Sequence, residues 1–215
     1  VYLTSFEGSH PQSLRLRMAQ ARLAEMQAQR KPSKVGKPRI LILSRHHQIK
    51  KGFGISLNEV YGTGILQRYF EVHHLAWHYH EADTMMDGVQ VYSTRPEDSL
   101  GLQRLKHLLV MIEPDVILLH ADMHFFPAFL PILEAWQGAV VGWFPIDYAR
   151  DQNPSALMPL LQRCNRIASL SRFGVNQIQK NYTGPCEVIP LGVNSERFVP
   201  VPSAEEKSRL RRQLQ

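Results

Sequence analysis

Arg39 to Gly54 reads RILILSRHHQIKKGFG, and the fold follows from how this stretch is read. Its apolar run, Ile40 to Leu43, is too short for a helix and is bounded by Pro38 and by polar residues, which marks a buried strand. A polar loop follows, and then Gly52, Phe53 and Gly54 lead into SLNEVYGTGILQRYF, where Leu57, Val60, Tyr61 and Gly64 recur at helical spacing. A strand delivered through a glycine pair into a helix start turns backbone N–H groups and the positive end of a helix dipole toward one point, which suits an anion such as phosphate. A glycine pair alone is most often only a turn, so this reading takes its weight from what lies downstream.

Downstream, strands and helices alternate. Glu71 to Tyr79 reads as a strand, Val89 to Tyr92 as a short edge strand, and Leu102, Leu105, Leu109 and Ile112 as one face of a helix. Pro114 to His120 is a buried strand, His124 to Trp136 an apolar helix, and Ala139 to Pro145 the next strand. A helix over Ser155 to Asn165, a strand from Arg166, a helix over Phe173 to Tyr182 and a strand Cys186 to Pro190 complete the series. Continuous apolar strands separated by helices predict a parallel sheet covered on both faces, a Rossmann-like doubly wound domain over residues 39–200.

In such sheets ligands bind beyond the carboxyl ends of the strands, so the residues that follow each strand are the ones to weigh. They are Arg45, His46 and His47; His78, Tyr79 and His80; His120, Asp122 and His124; Asp147; Ser171 and Arg172; and Gly192. Six of the ten histidines fall on this edge, which is the pattern of a ligand cleft rather than of random surface.

The flanks read differently. Ser9-His10-Pro11-Gln12 has the form of a capping box, and a helix from about His10 to Arg30 places Leu16, Ala19, Leu23 and Met26 on one face. That face is expected to pack on protein rather than on a membrane, because it carries no aromatic anchor, although a peripheral membrane or protein contact through this basic helix stays open. Lys31 to Pro38 has linker composition, so residues 1–38 form an arm, and residues 201–215 are either the start of a second domain or a tail.

Charge and composition exclude several classes. The net charge of +6 is concentrated in residues 1–38, with seven Lys and Arg against two Glu, while the remainder has eighteen against seventeen Asp and Glu. No basic stripe interleaved with aromatics runs through the body, so nucleic-acid binding is not expected. No apolar run approaches the ~20 residues of a membrane span. Two cysteines, Cys164 and Cys186, are too few for a disulfide framework and lack metal spacing, which predicts free thiols in a reducing, cytoplasmic setting.

Individual constellations keep two readings each. His120-Ala121-Asp122-Met123-His124 has metal-ligand residue types at short spacing, but no third cluster supports them, and hydrogen bonding to a ligand or carbonyl is the expected role. Asp147 ends a strand with a carboxylate that fits a general base or a hydroxyl-orienting group, or equally a cap for the next loop. Ser171 is a plausible N-cap and Arg172 a plausible anion partner or simply an exposed cation. A serine-nucleophile elbow of the GxSxG type is absent.

Val188 to Pro200, VIPLGVNSERFVP, resembles the segment that closes the amino-terminal domain of retaining GT-B glycosyltransferases of family 4, with Asn194 where an aspartate is usual. The GFG loop, the strand ending Trp77-His78-Tyr79, PDVILLHAD, GWFPID and SLSRFG follow in the order of a family branch reading GYG, GW, PDV, FPID and SRFG. The resemblance implies the acceptor-side half of an enzyme that moves a hexose from a nucleotide-diphosphate sugar to a glycan or other hydroxyl acceptor. It implies no cofactor and no bound metal. It implies Asp147 as the catalytic residue, and Gly52, Phe53, Gly54, His120, Asp122, Ser171, Arg172 and Gly192 as substrate and donor-phosphate contacts. It also implies a carboxy-terminal donor-binding domain beginning near Ser203, without which this portion is inactive. A GT-B-derived module that only binds a glycan or a protein is the alternative. A nucleotide-only Rossmann domain is disfavoured, since no GxGxxG follows the first strand.

Overall fold

A computed structural model describes residues 36–49, 52–146, 154–192 and 203–213. The chain divides between Gly36 and Lys37 into two units, and the sheet belongs to the second. The arm expected before Gly36 lies outside the described residues, as do Asp147 and residues 193–202 of the closing segment.

The protein is α/β, with an eight-stranded, mostly parallel sheet. The strands are β1 Arg39–Arg45, β2 Glu71–Trp77, β3 Thr84–Met86, β4 Val89–Tyr92, β5 Val116–Leu119, β6 Ala139–Phe144, β7 Arg166–Ser169 and β8 Cys186–Val188. The helices are α1 Gly52–Gly62, α2 Ile65–Tyr69, α3 Leu102–Ile112, α4 Leu130–Ala135, α5 Pro154–Arg163, α6 Arg172–Gln179 and α7 Ala204–Gln213. The spatial order is β3-β4-β2-β1-β5-β6-β7-β8, with every neighbouring pair parallel except the β3–β4 hairpin at one edge. Order reverses at β1, which lies between β2 and β5, and this is compatible with a Rossmann-like sheet.

β1 is central because its side chains are apolar on both sides. Leu41 and Leu43 enter one core with Leu75, Ile117, Leu119 and Val140, closed by Leu105 and Leu108 of α3, Leu133 of α4, Leu160 of α5 and Ile178 of α6. Ile40 and Ile42 face the other side with Val72, Ala76, Val89 and Val91, closed by Leu57 and Tyr61 of α1. This is the two-residue alternation of a strand acting on a run with no polar member. Each such buried aliphatic contributes about 1.5–3 kcal/mol.

Several elements differ from expectation for local reasons. The segment His124 to Trp136 is not one helix: 3-10 turns at Met123–Phe125 and Pro127–Phe129 precede a short α4. Pro127 and Pro131 lack the N–H groups that a continuous helix would use. The helix expected through Tyr69 breaks into α1 and α2 at Gly64, which has φ 64°. β2 stops at Trp77 because His78 turns to φ 61°. β3 was not expected at all; Asp87 and Gly88, at φ 51° and 73°, form the turn of its hairpin with β4.

Candidate functional site

The carboxyl ends of the strands do not form one uniform rim. His78, His80 and His124 are exposed, whereas His46, His47 and His120 are buried. The site that emerges is a groove of about 970 Å³ between α1 and the far half of the sheet. Gly52, Ile55 and Ser56 of α1 form one side, and Trp143 of β6 with Ile189 and Gly192 after β8 form the other. Trp143 is held there by its indole N–H, which donates to the Ile189 carbonyl at 3.0 Å.

Sequence reading places the glycine pair before the helix, but Gly52 opens α1 and Gly54 is inside its first turn. The two glycines have different jobs. A Cβ on Gly52 would meet nothing within 4 Å, and this residue lines the groove. A Cβ on Gly54 would run into the Ile49 carbonyl oxygen and stand 2.9 Å from that of His46. Gly54 is therefore a close-packing residue between α1 and the loop after β1, and as a buried residue it does not present itself to a ligand.

His120 is the expected site residue with the most specific surroundings. Its Nδ1 lies 3.1 Å from the Trp143 carbonyl, which can only accept, so Nδ1 carries the proton. Its Nε2 lies 2.8 Å from the Ser56 hydroxyl. The ring is stacked on Trp143, centroids 4.2 Å apart, with the edge of Phe53 5.6 Å away. Burial, only partly offset by the Trp143 carbonyl, lowers the His120 pKa to about 4, so the imidazole is neutral at physiological pH. At 1% exposure His120 does not line the groove itself; Ser56 stands between. Ser56 carries no motif in the sequence, and Trp143, although it stands in GWFPID, gives no sign there that its ring faces a groove. The one available signal was Trp143 at strand-face alternation with the neighbouring apolar residues.

The remaining expected residues spread out. Ser171 is the N-cap of α6, its hydroxyl accepting from the Gly174 N–H at 3.0 Å. Arg172 is exposed at the start of that helix, and Gly192 is exposed on the groove wall. Asp122 is half-buried at the start of the 3-10 turn after β5. The structure thus brings Gly52 and Gly192 to the groove wall and packs Phe53 against His120 behind Ser56, while Ser171 serves a helix end. Cys164 and Cys186 are free thiols, raised to about 12 and about 11 by burial, and neither is poised as a nucleophile.

Beneath α1 lies a second polar group, His46, His47, His74, Tyr61 and Tyr79. His46 stacks on Tyr79 with centroids 4.4 Å apart, and His47 sits 4.7 Å from His46 and 5.1 Å from Tyr61. Both ring nitrogens of His74 and of His47 have no hydrogen-bond partner, nor does the Tyr61 hydroxyl. His47 Nε2 reaches only to 3.7 Å from an Asp87 carboxylate oxygen. Burial lowers the pKa of His46 to about 4, with His47 adding repulsion, and lowers that of His74 well below the usual histidine range. Among the described residues no group of three His, Cys, Asp or Glu side chains is arranged to hold a metal ion, and no helix is long and apolar enough to cross a membrane.

Compared with models of known protein families and with curated proteins, the chain finds no match.

Proposed function

We propose that this chain is the acceptor-side, Rossmann-like GT-B domain of a retaining glycosyltransferase of family 4. In this reading it passes a hexose from a nucleotide-diphosphate sugar to a hydroxyl acceptor, together with a donor-binding domain. The observation that carries the reading is the groove. Residues that follow β1, the end of β6 and residues that follow β8 meet on one side of the sheet, where ligands of open α/β sheets bind. The groove combines an aromatic face, Trp143, with hydroxyl and amide groups on Ser56, Asn58 and Thr63. An indole face with hydrogen-bonding neighbours suits a sugar or another polyhydroxylated acceptor. The motif order that resembles family 4 supplies the donor class, and Asp147, which lies outside the described residues, remains the proposed catalytic carboxylate.

The test is glycosyl transfer by the full-length protein supplied with a panel of nucleotide-diphosphate sugars, read as nucleotide release and as mass added to the acceptor. Asp147→Ala should abolish transfer without lowering the melting temperature. Gly52→Val, at an open position on the groove, should also abolish transfer, whereas Gly54→Val would disturb α1 packing instead. Transfer that survives both Asp147→Ala and Gly52→Val would refute the site, and glycan binding without turnover of any sugar would favour the non-catalytic module.

A further inference from the structure

The hydrogen bonds around Ser56 define a chemistry that glycosyl transfer does not use. Ser56 Oγ lies 2.8 Å from His120 Nε2 and 2.9 Å from the Phe53 carbonyl, and it has one proton to give. Because Nδ1–H of His120 is committed to the Trp143 carbonyl, Nε2 of the neutral ring has a lone pair facing Oγ. The Ser56 hydroxyl, which donates to the Phe53 carbonyl at 2.9 Å, thus has a second acceptor at His120 Nε2, and rotation about its C–O bond turns the proton from one to the other. If Nε2 takes that proton, the resulting imidazolium donates from both nitrogens, to Trp143 and to Oγ, and its charge lies against the Trp143 ring. A nucleophile, a base and a group that orients the base thus stand in line, and the nucleophile opens on a groove lined by Ile55, Ile189 and Leu191.

We propose that Ser56 is an activated nucleophile, with His120 as its base and the Trp143 carbonyl as the orienting group, serving an ester whose apolar acyl chain lies in the groove. In the step assigned, Oγ bonds to the acyl carbon while its proton passes to His120 Nε2. The proton then moves to the leaving alcohol oxygen as the C–O bond breaks. Water attacks the acyl-serine by the same route, giving up a proton to Nε2, which returns one to Oγ as the acid departs. The backbone N–H groups of the first turn of α1, which have no intrahelical acceptor, immediately precede this serine. This chemistry uses the groove assigned above to the acceptor, but covalent labelling of Ser56 and sugar transfer are separate readouts, so failure of one is distinguishable from failure of the other.

The experiment exposes the 215-residue chain to a decyl fluorophosphonate and to its ethyl counterpart, and locates the adduct by mass spectrometry. Attack by Oγ on phosphorus expels fluoride, the serine proton passing to His120. The expected result is one adduct per chain, on Ser56, absent in Ser56→Ala. The ethyl reagent should be roughly tenfold slower or worse, since two buried methylenes are worth that much. His120→Gln should slow labelling by about 10²–10⁴-fold. Should His120→Gln fail to fold, nitrogen-15 NMR of the unaltered chain decides, because the Nδ1–H tautomer of His120 is required. No adduct on the folded chain, an adduct elsewhere, an unchanged rate in folded His120→Gln, equal rates for the two chain lengths, or an Nε2–H tautomer would each overturn the proposal.

Discussion

Gly52 and Gly54 are two residues apart in one helix and carry opposite constraints. Gly54 is fixed by carbonyl oxygens of the loop after β1, which cannot retreat without dragging His46 and Ile49 with them. Gly52 has open space and a helical conformation, where alanine is the better residue. Gly54→Ala should therefore lower stability by about 1–3 kcal/mol, the cost of overpacking a tight site. Gly52→Ala should be neutral or raise stability by up to ~1 kcal/mol. Urea denaturation of the two variants checks both, and equal effects would contradict the packing described. The contrast was not legible in the sequence, where both glycines look like one turn. The N-cap role of Ser171 was legible, because a cap is decided by a spacing of three residues. The Ser56–His120 contact was not, since sixty-four residues separate its partners.

Among the elements, α1 rests on buried imidazoles with unpartnered nitrogens. His46, His47 and His74 all have folded-state pKa values below the ordinary value near 6.5, through burial first, with Asp87 opposing the shift at His47. The groups facing them are Tyr61 from α1, Tyr79 after β2, Asp87 from the β3–β4 turn and His120 after β5. Between about pH 6.5 and pH 4 the unfolded chain binds protons that the folded chain refuses, so stability is full above this window and falls as pH drops through it. His74→Leu removes a fully buried imidazole whose nitrogens make no well-formed hydrogen bond and meet only the Ser44 backbone, together with one of these linked groups. It should raise stability by about 1–3 kcal/mol, and by more at pH 5 than at pH 7.5, as read from urea midpoints at the two pH values. A loss of stability at both would show that the contact of His74 with the Ser44 backbone outweighs the cost of burying the ring.

α3 shows the opposite case, a helix start supplied with everything it needs. The Asp98 carboxylate accepts from the backbone N–H groups of Leu102, Gln103 and Arg104 at 2.7, 2.9 and 3.4 Å. Gly101, at φ 75°, turns the chain so that a carboxylate three residues earlier reaches the first turn, where it also meets the positive end of the helix dipole. Asp98→Ala should cost about 1–2 kcal/mol, and Asp98→Asn should recover most of it, measured by thermal unfolding above pH 6. The helix itself was visible from its apolar spacing, but this cap was not, because the capping residue stands outside the usual position.

Across the whole molecule, the alternating elements and the apolar strands were readable because each strand is buried on both faces and has no polar interruption. Which strand becomes the centre depends on pairings between distant segments, and only Asp87-Gly88 marks the β3–β4 hairpin in the sequence. β1 sits where the two cores meet back to back, with Leu43 in one and Ile42 in the other. Leu108 of α3 and Leu57 of α1 lie on opposite sides of that sheet, both essentially inaccessible to solvent. Each, replaced by alanine, should cost about 2–5 kcal/mol. With a sheet between them they share no cavity, so the double variant should lose the sum to within about 0.5 kcal/mol. Both losses should appear in one unfolding transition, because neither core has a β1 of its own to fall back on. Two separated transitions in the Leu57→Ala variant, followed by tryptophan fluorescence and far-ultraviolet circular dichroism, would mean that α1 detaches before the sheet does. The groove that α1 forms with Trp143 would then be a property of a state that exists only while the helix is seated.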